Sequence, residues 1–221
     1  MTVLFSKNRR MRYVVLLHLL FVCLLSGAQT TTMKEVFKSM PDSLTPYLSN
    51  NNRLDFIDFI ESNMEAKVTN DLDGKSDMTV LNDSFLNIQM NEASLLQMRL
   101  LPVNTPVDGM KQVICLVRTY GAEGKESVVS FYSCSWQRLD WSVAGLVAID
   151  DLIQRPASMT VDRFQELKNM LSPYLCYAIL SADDDSITFL LSHANIPTDD
   201  LMEIESIKVS KTLKWNGESF K

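Results

Sequence analysis

Along the first third of the chain, apolar residues recur at helical spacing, and beyond residue 67 they alternate with polar ones, so helices precede a sheet. Met33, Val36, Phe37 and Met40 share one helical face over residues 33–39, and Pro41 ends the run. Thr45-Pro46 is read as the start of a further helical turn, a cap followed by proline at the first helical position. Asn50-Asn51-Asn52 then offers a cap for a helix over residues 53–66. Phe56, Ile57, Ile60 and Met64 form its apolar stripe, with Asp55, Asp58, Glu61 and Glu65 on the other side.

The alternation is clearest in Leu86, Ile88 and Met90 against Asn87, Gln89 and Asn91, a strand with one core face and one wet face. Leu96, Met98 and Leu100 repeat it, as do Ile187, Phe189 and Leu191, and the set Ile207, Val209, Leu213 and Trp215. Turn residues separate these runs at Asp73-Gly74, Asn82-Asp83, Gly121 to Gly124, Asp183 to Asp185 and Asn216-Gly217. Short links between strands predict antiparallel pairing. One later helix interrupts them over residues 160–171, with Thr160 as cap, Asp162 in its first turn, Phe164, Leu167 and Leu171 facing inward, and Pro173 closing it. The expected fold class is α+β: an antiparallel, curved sheet covered on one face by the N-terminal helices and this later helix. Leu44-Thr45-Pro46-Tyr47-Leu48 and Leu171-Ser172-Pro173-Tyr174-Leu175 echo each other, but their flanks do not match, so the echo is a repeated helix-end solution.

The first 28 residues stand outside this pattern. Lys7, Arg9, Arg10 and Arg12 precede an uncharged apolar run over residues 13–25, and Ser26-Gly27-Ala28 supplies small residues for cleavage before Gln29. The 13-residue run falls short of the ~20 that a spanning helix needs, so a secretory signal is expected and no transmembrane anchor after its removal. A lipid anchor at Cys23 is disfavoured by the bulky Val22 before it. Residues 29–221 are then expected to form a single α+β domain.

Cleavage removes four positive charges and no negative ones, taking the formal charge from -6 to -10. So acidic a chain, with no dense Lys/Arg cluster, argues against binding nucleic acid or anionic lipid surfaces. Three cysteines remain after cleavage, Cys115, Cys134 and Cys176. All lie in apolar runs and read as buried, reduced packing residues in preference to one bridge and a spare thiol.

The mature chain holds one histidine, His193, at a strand end, so neither nucleophile-base catalysis nor a multi-histidine zinc site is indicated. Asp150-Asp151, Asp183-Asp184-Asp185 and Asp199-Asp200 are the candidate carboxylate pairs for glycoside chemistry or calcium. Adjacent carboxylates point different ways, and Asp183 to Asp185 reads better as a hairpin tip. Asn70 to Asp77 contains the Asp-x-Asp-Gly core of calcium loops, but an EF-type register would need acids where Thr69 and Val80 stand, so a turn at Asp73-Gly74 is favoured. No catalytic, cofactor-binding or metal site is therefore assigned. The aromatics Tyr132, Trp136 and Trp141 remain as a candidate binding surface, since such rings stack on sugars or anchor protein partners.

Three runs give the chain a likeness to a known family: Val36 to Leu44, Asn51 to Phe59 and Leu72 to Ser76. With Leu100-Leu101-Pro102, Ile114 to Thr119 and Ser130-Phe131-Tyr132 followed by Trp136, the sequence resembles the domain-of-unknown-function family 3256 of secreted Bacteroidales proteins. That resemblance implies an exported envelope protein and brings no catalytic residue. It also implies that Cys134 is a local substitution, the family carrying polar residues between the Tyr and the Trp.

The leading expectation is a non-enzymatic periplasmic or outer-membrane-associated binding or assembly module, with another envelope protein, glycan or lipid as partner. It requires an open patch including Trp136, Trp141 or the apolar residues around Leu95 and Leu101. The alternatives are a carrier of a small apolar ligand, with a cavity lined by Leu, Met and Phe, and a carboxylate-dependent hydrolase of envelope polymers.

Overall fold

The computed structural model describes residues 30–221, so the signal segment and the Ala28–Gln29 junction lie outside the described residues. Helix α1 (Met33–Lys38) begins at a reciprocal cap, in which Thr32 Oγ1 accepts from the Glu35 N–H and the Glu35 carboxylate accepts from the Thr32 N–H. Thr45 does not start a helical turn as expected. It ends a short 3-10 turn over Asp42–Leu44, and its hydroxyl accepts from the buried Arg53, which also pairs with Asp42 at 2.7 Å. Helix α2 (Asn50–Glu61) starts three residues earlier than the stripe predicts, because Ser49 and Asn52 form the cap. It stops at Glu61 because Asn63 turns into the left-handed region at φ 53°, leaving Met64 exposed.

Seven strands follow as an antiparallel meander in sequence order: β1 (Lys67–Thr69), β2 (Lys75–Leu81), β3 (Phe85–Asn91), β4 (Ser94–Val107), β5 (Met110–Tyr120), β6 (Glu126–Ser133) and β7 (Arg138–Leu139). A second antiparallel sheet, ordered β10-β9-β8, is made by β8 (Leu175–Leu180), β9 (Ser186–Ser192) and β10 (Lys211–Lys214). Helix α3 (Val161–Met170) is capped by Thr160 as predicted. Helix α4 (Thr198–Ile207) occupies a segment that the alternation assigned partly to a strand. Ile207 ends this helix, while Leu213 belongs to β10 and Trp215 to a single bridge with Phe220.

The large sheet buries both faces, as β5 shows: Ile114 and Leu116 face one core, and Val113, Cys115 and Val117 the other. On the first face, α1 and α2 bring Met33, Val36, Phe37, Phe56 and Ile57 onto Leu86, Ile88, Leu96 and Met98. Each fully buried aliphatic or aromatic side chain here contributes about 1.5–3 kcal/mol. The second core holds the small sheet together with α3 and α4. This corrects the expectation of helices on one face only, since Leu167 of α3 and its C-cap Leu171 pack on the side opposite α1 and α2.

Strand β8 is an edge strand, and it runs across β6, β5 and β4. Side chains of the large sheet take the place of a pairing strand. The Ala178 N–H donates to Ser127 Oγ at 2.9 Å, and the Leu180 N–H to Gln97 Oε1 at 3.1 Å. Arg99 completes the junction, donating to the Ser181 carbonyl at 3.0 Å and pairing with Asp185 at 2.8 Å.

Candidate functional site

The three aromatics singled out by sequence do not form one surface. Tyr132 is buried in the first core and Trp136 packs on it, ring centroids 5.6 Å apart, with Trp136 Nε1 donating to the Val36 carbonyl and Ser39 Oγ of the α1 segment. Trp141 lies on the opposite face, stacked on Trp215 at 5.9 Å and tilted against Phe131 at 5.8 Å. Phe220 closes this cluster, and Trp215 Nε1 donates to the Pro102 carbonyl at 2.6 Å. These rings are engaged with one another, and the two Trp indoles of known donors already have acceptors.

Five of the seven acidic candidates, all but Asp183 and Asp199, are likewise engaged. Asp150 meets Lys168, Asp151 accepts from the Ala148 N–H, Asp184 accepts from Ser186, Asp185 holds Arg99 and Asp200 holds Arg163. Asn70, inside the calcium-like segment, uses its Oδ1 to accept from the Leu72 and Gly74 N–H groups and its Nδ2 to donate to Ser76 and the Met90 carbonyl, which builds the β1–β2 turn. His193 Nδ1 lies 3.4 Å from both Glu205 and Lys208. Cys115 is fully buried in the second core, where burial pushes its thiol far above the ordinary range, and Cys134 donates weakly to the Gln112 carbonyl at 3.3 Å.

Open chemistry gathers at the other end of the strands, around the β3–β4 and β5–β6 hairpin tips. The two tips are joined by the Gly121 N–H donating to the Ala93 carbonyl at 2.9 Å. Gly121 adopts φ +108°, and a Cβ there would sit 1.9 Å from the Gly124 carbonyl oxygen, so the loop closes only with glycine. Ser192 of β9 pins this loop to the small sheet, accepting from the Lys125 N–H and donating to the Glu123 carbonyl.

Between the tips and the outer side of β8 lies a groove of about 440 Å³. Leu95, Tyr177 and Ile179 give it an apolar step, and Gln89, Thr119, Glu92 and Lys125 surround that step. Ile179 stays 39% exposed although it sits in a strand. Lys125 Nζ lies 5.8 Å from the centre of the Tyr177 ring. Burial, and after it the nearby Glu205, pushes the Tyr177 phenol above its ordinary range, so at neutral pH its hydroxyl is a hydrogen-bond donor. Among the described residues, no ion pair engages Lys125 or Glu92. Leu95, an apolar residue expected to stay open, lines this groove, whereas Leu101 is fully buried in the second core.

The sequence pattern of the family described as "Protein of unknown function (DUF3256)" matches residues 25–220. No curated protein matches the chain. Among solved structures, the chain is similar to a domain of an uncharacterized protein from Porphyromonas gingivalis W83, at 20% identity and a TM-score of 0.66, covering 86% of this chain and 98% of that one. At that identity the likeness shows a shared fold. No helix among the described residues is long and apolar enough to cross a membrane.

Proposed function

The chain belongs to the DUF3256 family, and we propose that it is an exported, non-enzymatic envelope module that binds another envelope component through the groove beside the hairpin tips. In this reading the signal is cut between Ala28 and Gln29, and residues 29–221 act as one domain in the periplasm or at the outer membrane. The observation that carries it is the groove itself, about 440 Å³ of open space in which an apolar step meets an ammonium, a carboxylate and a phenol. That combination of an apolar anchor and a few convergent polar groups is what ligand sites share. Of the three partner classes, a protein segment fits best, because its side chains supply both the apolar anchor and opposite charges.

The groove contains neither Met nor Phe and opens to solvent, unlike the enclosed lining a carrier of apolar ligands would need. It holds a single carboxylate, Glu92, where polymer hydrolysis through paired acids would use two. The test is crosslinking and affinity capture of the tagged mature protein from its native envelope, alongside an Ile179→Glu variant. We expect a reproducible protein partner that the variant no longer captures. A partner retained by the variant removes the groove from the account, and recovery of the protein alone, or with lipid or glycan, overturns the protein-partner reading.

A further inference from the structure

We infer that Arg118 is the seat for a carboxylate carried by an extended segment of the partner protein, on the sheet face opposite the groove. The inference rests on the reading of the hairpin-tip end as the binding surface. Ser94 and Leu95 are consecutive on β4 and so point to opposite faces. Both line the groove, and both also line a notch of about 40 Å³ completed by Leu44, Pro46, Tyr47 and Tyr120 around Arg118. The β3–β4 tip therefore stands as a wall with a cavity on either side.

Arg118 departs from how this protein treats its other sheltered arginines. Arg53, Arg99 and Arg163 are buried or half-buried, and each is paired with one or more carboxylates. Arg138 and Arg155 are exposed to water. Arg118 is half-buried, yet among the described residues it has neither an ion pair nor a side-chain hydrogen bond. Its cross-strand neighbours are Leu96 on one side and Val128 on the other, both apolar. Glu126, one pair further along the same face opposite Tyr120, makes no ion pair with it. A guanidinium sheltered this way presents planar donors without acceptors, the geometry that a carboxylate meets with two parallel hydrogen bonds.

The size of the notch limits what enters it. About 40 Å³ is close to the volume of one or two water molecules, enough for a carboxylate group and too little for a ring. The rest of the partner then lies along the sheet beside it, where Tyr120 is 45% and Val128 54% exposed beyond the cover of the N-terminal helices. The surrounding acidity of the chain, net -6 overall, disfavours a polyanion and favours a segment with one acid between apolar residues.

The probe is the peptide acetyl-Val-Glu-Val-amide, compared with its Gln counterpart and with inorganic phosphate, titrated into mature protein with nitrogen-labelled arginine. We expect a saturable shift of the Arg118 side-chain NMR signal with the Glu peptide, at least about tenfold stronger binding than the Gln peptide, and no saturable effect of phosphate. Arg118→Gln should abolish the peptide's effect on the Tyr120 and Val128 amides, and Arg118→Lys should leave it weakened, while an unchanged amide spectrum elsewhere shows the fold intact. No response, an equal response to the Gln peptide, or a response to phosphate alone overturns the inference. In envelope capture, loss of the partner with Ile179→Glu but not with Arg118→Gln overturns this inference while leaving the groove; retention with both overturns the two together.

Discussion

The two ends of the large sheet handle sticky chemistry in opposite ways. At one end Phe131, Trp141, Trp215 and Phe220 close on one another, and the Trp215 indole donates to Pro102, so the most conspicuous rings are consumed by the fold. At the other, Leu95, Tyr177 and Ile179 line an open groove, with Lys125, Glu92 and Arg118 lacking ionic partners among the described residues. The large aromatics here are engaged in packing, whereas the proposed surface holds polar groups near apolar neighbours with no ionic partner among the described residues.

This contrast can be broken by substitution, beginning at the aromatic end. Phe131→Ala removes the ring that Trp141, Trp215 and Phe220 all touch, and should cost about 3–5 kcal/mol in urea unfolding, with partner capture reduced only in proportion to the folded fraction. A loss of capture with stability intact would mean that the aromatic end binds. Next comes the junction of the sheets: Arg99→Met strands Asp185 and the Ser181 carbonyl, costing about 2–3 kcal/mol, and hydrogen exchange should quicken first at the Ala178 and Leu180 amides on the β8 edge. Uniform quickening across both sheets would show that the junction is no weaker than the rest. The smallest effect on stability is expected at the open end, where Ile179→Glu should stay within about 0.5 kcal/mol of wild type.

The same division governs what the residues revealed before the structure. Helix α3 was legible because its cap Thr160 and its inward residue Leu167 sit within one short segment. The start of α2 was misplaced by a run of three asparagines, any of which caps well, while Ser49 in fact does so with Asn52. Helix α4 carries a signature in Pro197, two acids in the first turn, and Leu201, Ile204 and Ile207 at three-residue spacing, but the alternation of Ile207 and Val209 with polar neighbours competes with it and reads as strand. The second sheet could not be read from alternation, since a strand's period is the same whichever sheet it joins. For the same reason the groove was only half visible. Leu95 is expected to stay open together with Leu101, which is buried, and its companions Tyr177 and Ile179 reach it from a strand of the other sheet.

The chain belongs to a family described as of unknown function, and its likeness to the Porphyromonas gingivalis domain shows the fold alone, so the proposed function rests on where the open chemistry lies. The most direct measurement is site-specific photocrosslinking in the native envelope, with a photoreactive amino acid placed at Ile179 in one variant and at Trp141 in another. The account predicts a discrete crosslinked protein species from position 179 and none from position 141. A discrete species from 141 alone would contradict it and move the binding surface to the aromatic end.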